Sequence, residues 1–270
     1  TKDEALEVFK TIDSQSILVA DLSLYRELLD QIRGLEKQKV QKFFITDATE
    51  YWLNRIPLQL LEEYRDHYEV LLNQTTVSQE KRIMDLALGV IMMVLSLPFI
   101  LLFGLLIVLT SGFPIIFKQP RVGLYGQPFM FYKLRSLKNA KKAKISQDPN
   151  EDIAQRVTWV GKIMRKTRID EFPQFFNILN GTMSVVGPRP EIPTLHAKWS
   201  DEIPVYDYRI MVRPGLTGWA QINYGHTVTK EETIRKVEYD LYYVKHKSLL
   251  FDIQIIMQTF ETFLFMKGGK

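Results

Sequence analysis

Asp170 and Glu171 stand side by side in a basic, proline-punctuated run, Arg165-Lys166-Thr167-Arg168-Ile169-Asp170-Glu171-Phe172-Pro173-Gln174. Gly187-Pro188-Arg189-Pro190 follows shortly after. Paired acids among so many cations point to metal-assisted phosphate chemistry. An ionised Asp is a competent nucleophile toward phosphorus, and a neighbouring carboxylate can hold Mg²⁺. The same pair could instead be a simple cap at a surface helix. A glycosidase fits poorly, because its two carboxylates bracket a bond from two sides, roughly 5–9.5 Å apart. Adjacent residues at one helix start point about 100° apart from a single backbone and suit one shared metal or phosphate better.

The surrounding cations match that chemistry. Arg165, Lys166 and Arg168 precede the dyad, and the strand Phe131-Tyr132-Lys133-Leu134-Arg135 carries Lys133 and Arg135. Arg189, on the stiff Gly187–Pro190 turn, is a natural bidentate phosphate clamp. Arg213-Pro214-Gly215-Leu216-Thr217-Gly218-Trp219 is a second rigid turn that presents Arg213. Each of these, taken singly, can equally be a structural turn or a solvated cation. The chain has no cysteine, which excludes disulfides, thiolate metal sites and a Cys nucleophile. His67, His196, His226 and His246 lack metal-ligand spacing. Nucleic-acid binding would use the same positive charge, but no recognition motif is present.

These groups need elements to hold them. Asp170 is placed to N-cap a helix over Glu171–Leu179, with Pro173 in the first turn and Gly181 ending it. The helix-start field would keep both carboxylates ionised at neutral pH. Strands are predicted at Pro114–Lys118 and Pro128–Leu134 across the turn Gly123–Gln127, then a polar loop over Lys138–Asp152. Further helical patterns cover Val157–Lys166, Glu231–His246 and the apolar Phe251–Met266, which suits a membrane surface or a partner subunit. Upstream, Ser16–Ala20 and Val40–Ile45 read as strands flanking a helix at Leu24–Leu35, with another helix at Leu58–Leu72. This order suggests a parallel βαβ unit. Neither strand is followed by a glycine-rich turn, so nucleotide binding there lacks support.

Between the two regions, Leu86–Leu109 is twenty-four residues without a charge, interrupted by Pro98 with Ser96 two residues earlier. About 20 apolar residues suffice to cross a bilayer core. Proline kinks such a helix, and the serine hydroxyl can satisfy a freed carbonyl. Lys81 and Arg82 lie before the segment; Lys118, Arg121, Lys133, Arg135, Lys138, Lys141, Lys142 and Lys144 lie after it. Positive flanks prefer the cytoplasmic side, so a re-entrant hairpin is favoured over a single crossing. The later flank would also hold the following domain against anionic headgroups. Net charge splits the same way: residues 1–80 hold nine Lys/Arg against fifteen Asp/Glu, and residues 81–270 twenty-six against sixteen. The chain opens at Thr1 without an initiator Met, so it is read as a piece of a longer protein, and no signal peptide is recognised.

Taken in order, Lys81-Arg82-Ile83-Met84-Asp85, the Pro98-centred apolar run, Phe117–Gly123, Phe131–Ser136, Arg165–Gln174, Ser184–Glu191 and Val212–Asn223 resemble the bacterial sugar transferase family. These are the monotopic polyprenyl-phosphate phosphoglycosyl transferases. The resemblance spans roughly residues 81–265, and residues 1–80 look like part of the extra N-terminal region of large members. It implies an α+β fold in three parts: a partial α/β module and linker at 1–80, a re-entrant membrane hairpin at 81–117 and a mostly helical catalytic domain at 118–270.

The implied reaction moves a sugar 1-phosphate from a nucleotide diphosphate sugar, expected to be a UDP-sugar, to undecaprenyl phosphate, with Mg²⁺. On the family pattern Asp170 attacks the β-phosphate and Glu171 helps bind Mg²⁺, with a covalent phosphosugar–enzyme intermediate. Lys133, Arg135, Arg168, Arg189 and Arg213 are the candidate phosphate and nucleotide ligands. The family's helix break maps onto Ser96 and Pro98, although Leu97 separates them here. Phe172 and Leu134 stand where Leu and Phe are common. The implied setting is the cytoplasmic face of the bacterial inner membrane, among membrane lipids, at the first membrane step of exopolysaccharide, capsule or O-antigen synthesis. A homodimer is compatible with the N-terminal module and the apolar last helix. The competing reading is a catalytically idle membrane anchor or scaffold, which an intact dyad argues against.

Overall fold

The computed structural model describes residues 16–19, 41–73, 78–138, 156–225 and 229–264. It divides into two compact units, Thr1–Arg65 and Asp66–Lys270. In the first, β1 (Ser16–Val19) pairs in parallel with β2 (Gln41–Phe44), with Ser16 opposite Gln41. The helix expected between them lies outside the described residues. Helix α1 (Ile45–Leu53) starts where the second strand was expected to end. The single helix expected over 58–72 is two, α2 (Leu58–Glu63) and α3 (Arg65–Asn73), because Tyr64 leaves helical geometry (φ −111°, ψ 38°).

In the second unit, α4 (Gln79–Ser111) is continuous for 33 residues, with Ser78 capping its start and Pro98 inside it. A helix of that length runs about 50 Å. Its residues divide by packing rather than by polarity. Asp85, Gly89, Ser96, Gly104 and Ile107 are buried. Met92, Met93, Ile100 and Phe103 pack beside them into two apolar clusters of the domain. That is one stripe at helical spacing, facing the domain along the whole helix. Ile83, Val90, Val94, Leu97, Leu101, Leu105 and Leu109 form an exposed apolar face. Gly89 permits the close approach, since a Cβ there would lie 3.0 Å from Leu179 Cδ2. Ser96 Oγ donates to the Met93 carbonyl at 2.9 Å, within the turn ahead of Pro98.

The flanking cations hold α4 to the domain. Arg82 donates to the Ile178 and Leu179 carbonyls (2.7 and 2.9 Å), at the end of helix α6 introduced below. Lys81 reaches Asp252 Oδ2 (2.6 Å), the Tyr243 hydroxyl and the Val186 carbonyl. At the far end Arg135 donates to the Ser111 and Gly112 carbonyls. The expectation that the later flank faces lipid headgroups is therefore corrected for Arg135, and Lys81 and Arg82 likewise turn to the domain. Carbonyls at helix ends and a buried carboxylate offer them fixed partners inside the domain.

Strands β3 (Ile116–Val122) and β4 (Pro128–Leu134) form an antiparallel hairpin, with Phe117 opposite Lys133; β4 lies where it was expected, and β3 starts two residues later and ends four residues later than expected. Helix α5 (Trp159–Thr167), capped by Thr158, leads to α6 (Gln174–Leu179). A short parallel pair follows, β5 (Ser184–Val186) with β6 (Gly215–Thr217). Between and after them lie α7 (Pro193–Glu202), α8 (Trp219–Asn223), α9 (Lys230–His246) and α10 (Leu249–Leu264). On α10, Asp252 and Ile255 are buried, while Leu250, Ile253, Met257 and Phe260 are exposed. The polar loop expected after Lys138 lies almost wholly outside the described residues.

The β5–β6 pair is possible because glycines allow backbone-on-backbone contact. A Cβ on Gly215 would stand 2.1 Å from the Gly187 nitrogen, and one on Gly187 would stand 2.3 Å from the Arg213 carbonyl oxygen. Gly215→Ala is expected to destabilise the second unit by about 2 kcal/mol or more, because backbone cannot yield as a side-chain tip can. A thermal midpoint within error of wild type would contradict this packing.

Candidate active site

Strand alternation places Phe131 and Lys133 on one face of β4, with Phe131 buried and the Lys133 ammonium 5.4 Å from its ring centroid. Helix α5 ends at Arg168, which takes the left-handed conformation (φ 55°, ψ 15°). That costs a non-glycine residue about 1–2 kcal/mol and swings the chain into a 3₁₀ turn, Ile169–Glu171. The Glu171 amide donates to the Arg168 carbonyl at 3.0 Å and the Phe172 amide to the Ile169 carbonyl at 3.2 Å. Asp170 is thus not the N-cap expected for a helix over 171–179. Pro173 has no N–H for an i→i−4 bond, so tighter turns carry the chain to Gln174 before an α-helix begins.

The dyad is electrostatically split. Lys133 Nζ and Arg189 Nη2 both bond Glu171 Oε1, at 2.9 and 2.8 Å. Burial alone would push the Glu171 carboxyl up, but Arg189 and Lys133 outweigh it and hold it at about 2. Asp170 is buried, and among the described residues no side chain hydrogen-bonds its carboxylate. Burial raises its pKa above the ordinary 3.8, against the pull of Lys133 and with a further push from Glu171. One acid is neutralised twice over; its neighbour keeps an unspent charge in a low-dielectric position.

Of the predicted ligands, Lys133 and Arg189 meet at the dyad. Arg189 Nη1 also lies 3.4 Å from Gln221 Oε1, at the start of α8. Arg168 contributes its backbone turn, and its side chain is exposed. Arg135 is buried and turned to the end of α4. Arg213 is half-buried, with its carbonyl against Gly187. The helix break expected at Ser96 and Pro98 does not interrupt α4, which runs through both residues as one helix; beside them Phe99 makes an edge contact with Phe172, next to Glu171. Asn177 was missed. Buried on α6, its Oδ1 accepts from the Tyr132 amide and its Nδ2 donates to the Met130 carbonyl on the open edge of β4, and so locks that strand to the helix that follows the dyad. Its place in Phe-Phe-Asn-Ile-Leu, a lone amide among apolar residues, was the available signal.

Among the described residues no cluster of three or more His, Cys, Asp or Glu could hold a metal. The dyad supplies two adjacent carboxylates, and both cations converge on one oxygen of Glu171. Such a donor set suits a hard cation that keeps waters and takes substrate phosphate oxygens, the usual coordination of Mg²⁺.

The model of the bacterial sugar transferase family matches residues 76–266. The chain is 44% identical over 193 residues to the UDP-N-acetylgalactosamine-undecaprenyl-phosphate N-acetylgalactosaminephosphotransferase of Aeromonas hydrophila, covering 70% of this chain and 45% of that protein. It is 40% identical over 181 residues to the UDP-glucose:undecaprenyl-phosphate glucose-1-phosphate transferase of Escherichia coli, covering 66% and 39%. A protein of the same description from Caulobacter vibrioides is 37% identical over 201 residues, covering 72% and 73%. The chain spans less than half the length of the first two of these relatives.

The split dyad sets a pH signature. Because the Asp170 value is raised on folding, its ionisation costs stability above its ordinary 3.8, and that cost vanishes below it. In chelator-treated protein, Asp170→Asn should therefore raise the melting midpoint at pH 7, with the gain shrinking toward pH 4. Glu171 is the opposite case, contributing stability above 4.5 that is lost only as pH falls through about 2. Arg189→Ala, which leaves that carboxylate one partner short, should lower stability at pH 7 by about 1–3 kcal/mol. A destabilised Asp170→Asn or an unaffected Arg189→Ala would contradict this assignment of charges.

Proposed function

The chain belongs to the bacterial sugar transferase family, and we propose that it transfers a sugar 1-phosphate from a nucleoside diphosphate sugar to undecaprenyl phosphate. The observation that carries this reading is the buried dyad in which Glu171 is doubly ion-paired while, among the described residues, no side chain hydrogen-bonds the Asp170 carboxylate. The relatives named for UDP-sugar donors and an undecaprenyl-phosphate acceptor support both substrates.

In the proposed chemistry, a carboxylate oxygen of Asp170 attacks the β-phosphorus of the donor. The bond from that phosphorus to the bridging oxygen breaks, and the electron pair leaves on the nucleoside monophosphate. An oxygen of undecaprenyl phosphate then attacks the phosphosugar held on Asp170. The Asp170–phosphorus bond breaks, which restores the carboxylate and releases undecaprenyl-diphosphate-sugar. Burial serves the first step, since a poorly solvated carboxylate attacks more readily than a hydrated one. Lys133 and Arg189 keep Glu171 ionised, and Arg189 stays 31% exposed on its side chain, open to an incoming phosphate. Glu171 is the residue we assign to Mg²⁺, which when bound neutralises diphosphate charge.

We further propose that α4 is re-entrant at the cytoplasmic face of the bacterial inner membrane. Its start is tied to the domain by Lys81 and Arg82, its end by Arg135, and its buried stripe runs between. A single crossing would carry one of these polar clamps to the opposite side from the domain that holds it. Its exposed apolar face is then available to lipid. In this setting the product is the first lipid-linked unit of a surface glycan.

A panel of nucleotide sugars with undecaprenyl phosphate should give nucleoside monophosphate release with at least one UDP-sugar. Asp170→Asn should lose on the order of 10³-fold or more in turnover, and the +phosphosugar mass seen without acceptor should vanish with it. Glu171→Gln should weaken the Mg²⁺ dependence. Turnover retained in Asp170→Asn would sink the nucleophile, and no release with any donor would favour the idle scaffold. Because the chain has no cysteine, Gln79→Cys and Phe113→Cys can be labelled singly. Both should react from the cytoplasmic side; labelling from opposite sides would overturn the re-entrant path.

A further inference from the structure

The segment that carries Arg189 is held at every residue from behind. The Gly187 amide donates to the Thr217 carbonyl, the Gly215 amide to the Pro188 carbonyl and the Val122 amide to the Glu191 carbonyl, at 2.9, 2.9 and 3.0 Å. Arg121 Nη1 donates to the Pro190 carbonyl at 2.9 Å. The Arg189 carbonyl itself takes Arg209 Nη2 at 3.0 Å.

Arg209 is a committed residue. Only 3% of it is exposed, and it lies on the 3₁₀ turn Tyr206–Met211. Its Nε and Nη2 both bond Asp240 Oδ2, at 3.1 and 2.8 Å, and its Nη1 donates to the Tyr206 hydroxyl at 2.9 Å. Asp240, 2% exposed, projects from the middle of α9. One turn earlier Lys236 holds Glu191 Oε1 at 2.7 Å, so the same helix grips the segment twice. The start of α9 is set by a reciprocal capping box between Thr229 and Glu232.

We propose that Arg209 and Asp240 are positioning residues, which hold the Arg189 main chain so that its guanidinium lands on Glu171. The chain of contact is α9 to Asp240, Asp240 to Arg209, Arg209 to the Arg189 carbonyl, and the Arg189 side chain to Glu171 Oε1. A buried ion pair stabilises little compared with apolar residues of the same volume. What it supplies is direction: an anchored planar donor can hold one carbonyl at a fixed place, and an apolar pair cannot. Arg189 has a long side chain with many rotamers, so its aim depends on a fixed base.

The function of this aim rests on the reaction proposed above, whereas the geometric coupling does not. Two double-mutant cycles on the full chain in lipid nanodiscs separate them. In the first, thermal midpoints are measured for Arg209→Lys in wild-type and Glu171→Gln backgrounds. The two residues do not touch, yet the shift caused by Arg209→Lys should fall by more than about half once Glu171 is gone. Equal shifts overturn the proposal. In the second, nucleoside monophosphate release is followed: Arg209→Lys and Asp240→Asn should each slow turnover about 10-fold or more. In an Arg189→Ala background the same changes should cost less than about twofold. Losses that multiply would make the pair merely structural and overturn the proposal. If wild type shows no turnover, the reaction assignment fails while the stability cycle still decides the coupling. Should Arg209→Lys fail to fold, Tyr206→Phe removes one anchor of the same guanidinium with almost no change of shape and takes its place in both cycles.

Discussion

Two cations meet on a single carboxylate oxygen, Glu171 Oε1, and the geometry of the second unit converges on that point. Lys133 arrives from a strand, Arg189 from the turn after a parallel strand pair, and Glu171 from a 3₁₀ turn. Desolvating three charges is unfavourable unless their geometry is good, so each supporting element must be rigid. The β3–β4 hairpin aims Lys133, and Asn177 locks its open edge. Glycine contacts between Gly187 and Gly215 fix the base of Arg189. The consequence falls on the neighbour: with both cations spent on Glu171, Asp170 sits buried with no hydrogen bond to its carboxylate from any described side chain.

The same economy of cations explains how the apolar helix relates to the domain. Lys81, Arg82 and Arg135 stand at its two ends and bond carbonyls and a buried aspartate. The Asp85 carboxylate, itself fully buried, accepts from Ser184 Oγ and the Val185 amide, and so ties α4 to β5. Phe99 meets Phe172 one residue after the dyad. The helix is thereby divided into a stripe from Asp85 to Ile107 that packs on the domain and an apolar face left exposed. The dyad and the exposed apolar surface are parts of one packed body.

Much of this was legible along the chain. The dyad, the Lys133 strand, the Arg189 turn, the long apolar segment and the last two helices all show as local signals: adjacent acids, period-two alternation, proline and glycine punctuation, and apolar runs. The errors also have local causes. Asp170 three residues ahead of Pro173 suits an N-cap, yet the left-handed Arg168 just before it turns Ile169–Glu171 into a 3₁₀ turn instead. One helix became two at Tyr64, where no proline or glycine warns of a break. The short strands β5 and β6 carry three residues each, too few for a periodic signal.

The amino-acid sequence by itself determined which groups are present for chemistry and which segments are helical, extended or membrane-compatible, because those properties depend on neighbours within a few positions. Tertiary structure alone decided the division of labour among like residues. Ten cations flank the apolar segment and look alike in sequence, but one bonds the dyad, others clasp helix ends, and Arg121 holds the Pro190 carbonyl. Likewise Asp170 and Glu171 are equivalent as a pair of letters and opposite in charge environment. The reason is physical: a pKa, an ion pair and a buried hydrogen bond depend on which distant side chains arrive within about 3 Å, and only the fold sets those distances.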